Sequence, residues 1–204
     1  MSRSPLKNKT VVLLLGSWLV LAFMISLSGV FYAVPAPVVG VTNWGLVGLS
    51  LIAIWRFPPL RAWIDTVDLR ALVLYHTVRF VGIAFLILYA QGKLPYAFAV
   101  PGGWGDIVIA VLAIGVAMTS IPIKDRRRWW RVMIWNVLGL IDILMVIGTG
   151  LRIGLSDMSQ MVALTAFPLS MLPLFIVPLI ITTHVVIFLR LRTAISASGS
   201  RPRW

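Results

Sequence analysis

The chain has 204 residues, 60% of them hydrophobic, a mean hydropathy of +0.98 and 12% charged residues, about half the roughly 25% charge of an ordinary soluble domain. A soluble fold of this length has no interior for so much apolar surface, and six membrane spans of about 20 residues each would leave no room for an extramembrane domain. The net charge of +12 would raise nucleic acid binding in a soluble protein, but here the basic residues stand in short clusters between apolar runs, and zero cysteines exclude disulfides, thiolate metal sites and cysteine nucleophiles.

The expected fold is all-α, a polytopic transmembrane helix bundle of six spans in one domain over residues 1–195, followed by a basic, disordered tail over 196–204. Apolar periodicity places the spans at about 10–34, 38–57, 71–90, 106–123, 131–151 and 162–190. The first follows Arg3, Lys7 and Lys9 as a signal peptide would. Its apolar stretch exceeds the roughly 7 to 15 residues of a signal core, so it is expected to stay as an uncleaved span.

Basic residues alternate by connection. Arg3, Lys7, Lys9, Arg56, Arg61, Arg70, Lys124, Arg126, Arg127, Arg128, Arg131, Arg190, Arg192, Arg201 and Arg203 fall on one side, and only Lys93 and Arg152 on the other. Positive charge holds loops in the cytoplasm, so both termini are expected there, in the plasma membrane, the inner membrane of a bacterium. The partners this implies are the bilayer itself and anionic lipids at the cytoplasmic face, with no nucleic acid.

Two connections break the pattern. Residues 91–105 contain Pro95, Pro101, Gly102, Gly103 and Gly105, too broken for a helix and too apolar for a solvated loop, so the stretch is expected to dip into the outer interface. Asp106 then opens the fourth span as a cap or first-turn carboxylate, with a substrate role as the alternative. The last apolar segment, 161–192, would be about 48 Å long as one helix, against a hydrocarbon core of about 30 Å. Pro168, Pro173 and Pro178 are expected to kink or split it.

Polar residues inside spans carry the functional expectation, because each is costly unless paired or facing a cavity. At 1.5 Å per residue from the nearest basic helix end, His76 and His184 both lie about 9 Å deep, Asn136 about 7.5 Å, Arg79 about 13.5 Å and Asp142 about 16.5 Å. His76 and Arg79 share a helix face, and Gly139, between Asn136 and Asp142, permits close helix approach. These residues are expected to converge on one cavity in the cytoplasmic half, enclosed by the third, fifth and sixth spans. A structural alternative pairs Arg79 with Asp142 as an ion pair and satisfies His184 with Thr183 or a carbonyl freed by Pro178.

Absent residues narrow the chemistry. With no Glu and only two His, sites of the di-iron and zincin types lack their ligands, and no Ser-His-Asp order or nucleophile elbow is visible. The leading expectation is a transporter or channel for a small polar or anionic solute, with Arg79 as the intramembrane charge and His76, Asn136 and Asp142 as proton or hydrogen-bond partners. Three alternatives stay open: a redox protein whose His76 and His184 ligate haem b from opposite faces, an enzyme on a lipid-soluble substrate with His76 as acid or base, and a non-catalytic membrane subunit.

Overall fold

The computed structural model describes residues 8–197, and every regular element in it is helical. Six helices are long and apolar enough to cross a membrane: Lys9–Leu27, Ala36–Arg56, Leu69–Ala90, Tyr96–Thr119, Arg126–Ser156 and Leu172–Thr193. In chain order the elements are α1 (Asn8–Leu27), α2 (Ala36–Arg56), the short α3 (Pro58–Thr66), α4 (Leu69–Tyr75), α5 (Gly82–Ala90), α6 (Tyr96–Thr119), α7 (Arg126–Ser156) and α8 (Val177–Ala197). The basic tail expected from 196 lies, beyond Ala197, outside the described residues, as do Arg3 and Lys7.

The third span is continuous but not uniform. Between α4 and α5 the chain tightens into a 3-10 segment, His76–Val81, which carries both His76 and Arg79. Such mid-helix departures from α geometry mark strain or hinges. The sixth span is split, as its prolines imply. A 3-10 stretch, Met158–Thr165, precedes a turn through Pro168, and a π segment, Leu172–Ile176, leads into α8. Asp157 caps the 3-10 stretch: Oδ1 accepts from the Ser159 amide at 3.0 Å and its hydroxyl at 2.6 Å, and Oδ2 from Gln160 at 3.0 Å. These bonds hold the exposed Asp157 carboxyl below the usual carboxylate range.

The fourth span overturns the sequence expectation. Helix α6 starts at Tyr96, ten residues before Asp106, and runs through Pro101 and the glycines. In a bilayer a helix tolerates proline where neighbours re-satisfy the backbone, and glycines become contact surface rather than hinges. A Cβ on Gly82 would collide with the Gly103 carbonyl oxygen, and one on Gly103 would stand 2.8 Å from the Gly82 carbonyl oxygen. α5 and α6 therefore meet backbone to backbone. The buried face of α6 carries Phe98 and Ile109 beside a row of small residues, Ala99, Gly102, Gly103, Ala110, Ala113 and Ala117, with Asp106 as its single carboxylate.

Helix α6 packs on the third span along one side and on α7 along the other. Helix α8 packs on α2, α7 and α4, while α1 sits at the periphery against the π segment. Trp18 Nε1 of α1 donates to the Leu174 carbonyl at 3.0 Å, supplying a partner to backbone in that irregular stretch. One apolar cluster, around Val73, Ala117, Trp129 and Leu191, lies toward the basic end of the bundle. Another, around Phe85, Phe98, Ile153 and Met161, fills the loop-rich end. The polar residues lie between them.

Candidate functional site

Arg79 organises the centre of the bundle. Its side chain is fully buried, and its three donors reach partners on two helices, α6 and α7. Nε donates to Asp106 Oδ1 at 2.6 Å, Nη1 to the Gly139 carbonyl at 2.8 Å, and Nη2 to Asp142 Oδ2. The Asp142 half of this arrangement is the ion pair that depth along the helices implies. The Asp106 half corrects the cap expectation: Asp106 is buried in the third turn of α6 rather than at a helix mouth. Asp142 reaches Arg79 across Gly105, where any Cβ would collide with the carboxylate. One guanidinium thus faces two carboxylates, and a buried charge set of this kind is stable only because each member is bonded.

The histidines meet on the basic side of this cluster. Their ring centroids are 4.1 Å apart at an interplanar angle of 43°. Trp135 packs on both, at 5.1 Å from His76 and 5.7 Å from His184, while its indole N–H donates to the Ile109 carbonyl. Asn136 clamps His184: Nδ2 donates to the His184 carbonyl at 3.1 Å, which turns Oδ1 toward the ring to accept from Nδ1 at 2.9 Å. The His184 ring fits because position 139 is glycine, since a Cβ there would lie 2.6 Å from Cε1. Thr183 bonds His76 Nε2 at 3.2 Å rather than His184, and its own hydroxyl donates to the Leu179 carbonyl. His76 Nδ1 and His184 Nε2 are buried with no partner among the described residues.

Direct contact of the two tilted rings does not suit the haem alternative. A metal–nitrogen bond of about 2 Å on each side of an iron would set the imidazole centroids roughly 6 Å apart, with a porphyrin plane between them. No group of three or more His, Cys, Asp or Glu able to hold a metal ion occurs among the described residues.

A cavity of about 120 Å³ opens on the opposite side of Arg79, toward the loop-rich end. Its walls are apolar, formed by side chains such as Val39, Phe98, Ile143, Val146 and Leu172, with Met158 and Met161 of the 3-10 stretch across one end. Its polar groups include Arg79, Asp106 and Asn43. His76, Asn136 and His184 do not line it; they gather together on the other side of Arg79. Asn43 and Trp135 went unremarked as site residues in the sequence. An asparagine seven residues into a span carries the same signal as the polar residues that were singled out.

Residues 36–192 match the family model of a domain of unknown function, DUF8737, and the chain belongs to that family. The match begins at the first residue of α2, so the domain comprises the five spans that build the polar centre and leaves out the peripheral α1. No curated protein and no solved structure matches the chain.

Proposed function

We propose that this DUF8737 member is a membrane carrier whose solute is small and largely apolar, with a neutral or cationic polar group placed against the Arg79–Asp106 pair. The observation that carries this reading is the cavity itself, an apolar chamber ending on a buried ion pair. Binding sites for small molecules have this composition, mostly hydrophobic walls with a few convergent polar groups.

The charge balance refines the expected solute. Arg79 already serves two carboxylates and a carbonyl, so the centre offers an anion no uncommitted cation and two negative groups nearby. A cation or neutral donor is the better guest. Irregular backbone supports carriage over static binding. The 3-10 segment holds Arg79, and the π segment contributes Leu172 and Pro173 to the cavity wall. Carrier sites are commonly framed by such interrupted helices, which give two arrangements of similar free energy. With the basic end in the cytoplasm, the cavity faces outward.

The chain's lack of cysteine makes a direct test available. Cysteines replace Val39 in the cavity and Leu51, three turns further along α2, singly and together in one chain. Sealed vesicles are treated with a membrane-impermeant maleimide on either face. A carrier is expected to label V39C from the outer face and L51C from the inner face, with reaction at one site suppressing reaction at the other. Two sites that react independently, or not at all, overturn alternating access.

A further inference from the structure

Asn43 is 4% exposed on the cavity face of α2, and neither its Nδ2 nor its Oδ1 has a hydrogen-bond partner among the described residues. Buried carboxamides are normally bonded at both atoms, and one left without partners inside a membrane domain is costly enough to call for an explanation. The other buried asparagine of the spans, Asn136, shows the ordinary outcome, with both atoms engaged on His184. The cavity that Asn43 lines is walled mostly by apolar side chains, and none of its other polar residues, Arg79, Asp106 and Thr165, bonds the carboxamide.

From this we infer that Asn43 reads the polar group of the solute, and that this group is neutral and both donates and accepts a hydrogen bond, as an alcohol or a carboxamide does. The inference rests on the cavity being a solute site and deepens that reading. An amide side chain presents one donor edge and one acceptor edge. A carboxylate would satisfy only Nδ2 and would lie in the same cavity as Asp106, whereas an ammonium would satisfy only Oδ1. An alcohol or carboxamide satisfies both, and its apolar body occupies the hydrocarbon walls. Size agrees with a compact ligand: a cavity of about 150 Å³ is known to accept benzene, and this one is about 120 Å³ and open at one side.

The experiment uses four probes that share one ring and differ in one substituent: para-fluorobenzyl alcohol, para-fluorotoluene, para-fluorobenzylamine and para-fluorobenzoate. Binding to the full chain in nanodiscs is followed by fluorine NMR. Wild type is expected to bind the alcohol about tenfold more tightly than the toluene, the difference made by one well-placed hydrogen-bonding group. Asn43→Leu is expected to erase that preference while still binding the toluene, and Asn43→Ala, which introduces no new bulk, gives the same reading independently. In wild type the amine and the benzoate are expected to bind no more tightly than the toluene, and tighter binding of either overturns the neutral group; Val39→Phe, which narrows the cavity, is expected to weaken the alcohol and the toluene alike. If the asparagine variants keep the wild-type preference, or wild type shows none because water alone fills the cavity, the role of Asn43 is overturned while the cavity stands. If Val39→Phe leaves every probe unchanged, or no probe binds, the cavity reading falls with it.

Discussion

The Nε of Arg79 lies 2.6 Å from Oδ1 of Asp106, and the two residues come from neighbouring spans, both buried. Asp142 joins the same guanidinium with a side chain that is 23% exposed, against 4% for Asp106. The three residues should therefore not respond alike. Arg79→Gln strands two carboxylates and is expected to cost about 3–5 kcal/mol, the scale for breaking a buried pair. Asp106→Asn leaves Arg79 its Asp142 partner and should cost less, and Asp142→Asn, at the more open position, least of all. Arg79→Gln with Asp106→Asn should recover part of the loss. Reversible unfolding in mixed micelles measures this; strictly additive costs would mean that the groups do not act as a unit.

Backbone contact between α5 and α6 makes a second ranking. Gly82→Ala would drive a Cβ into the Gly103 carbonyl, and Gly103→Ala would press back on the Gly82 carbonyl at 2.8 Å. Each is expected to cost at least the 1–3 kcal/mol typical of overpacking, roughly, since backbone cannot move aside as a side chain does. Gly115, in the same helix, has open space at its Cβ. Gly115→Ala should be neutral or gain up to about 1 kcal/mol from helix propensity. Equal melting shifts for the three variants would contradict the close approach.

The same glycines explain where sequence reading failed. Pro101, Gly102, Gly103 and Gly105 look like a broken loop if solvent is the alternative environment, which displaced the fourth span by ten residues and put Asp106 at a helix mouth. The correcting signal was present in the small residues Ala99, Gly102, Asp106, Ala110, Ala113 and Ala117, which recur at three- and four-residue steps and trace one helix face. The contact of Arg79 with Asp142 was legible because helical rise alone sets depth. That ruler also gave His76 and His184 a common level, and their rings meet. It could not tell whether they enclose space or fill it. That depended on the bulk of Trp135 and the missing Cβ of Gly139, which are packing facts with no periodic signature.

His184 should exist as one tautomer. Because Asn136 Nδ2 is committed to the His184 carbonyl, its Oδ1 can only accept, and the proton must sit on His184 Nδ1. Nitrogen NMR of labelled protein is expected to show a protonated Nδ1 and a bare Nε2. Asn136→Leu removes the reason for that tautomer and leaves the Nδ1 proton without its acceptor, at about 1–3 kcal/mol. An unchanged histidine spectrum in Asn136→Leu would show that the clamp does not set the proton.

Arg56, Arg61, Arg70, Lys124 and Arg190 gather at one end of the bundle, while Lys93 and Arg152 stand at the other, and the positive-inside rule predicts the basic end to be cytoplasmic. Reporter fusions at Gly92 and Ser159 are expected to read as external, and those at Arg61 and Lys124 as cytoplasmic. A reversed pattern would turn the cavity toward the cytoplasm and overturn the outward opening proposed for it.

Asn43 gives the last prediction, because function and stability pull on it in opposite directions. Without a guest its carboxamide is buried and unbonded, so replacing it with leucine removes a desolvated polar group and adds apolar contact to Ile143 and Val146 across the cavity. Asn43→Leu should therefore raise the unfolding free energy of the empty protein by about 1–3 kcal/mol, the penalty of an unsatisfied group. Most buried substitutions destabilise, so the sign alone is informative. Stabilisation at the expense of binding is the pattern expected of a residue kept for its solute. Asn136→Leu, made in the same bundle at a fully bonded asparagine, should move the other way. If Asn43→Leu destabilises as Asn136→Leu does, the carboxamide has a structural partner and is not waiting for a ligand.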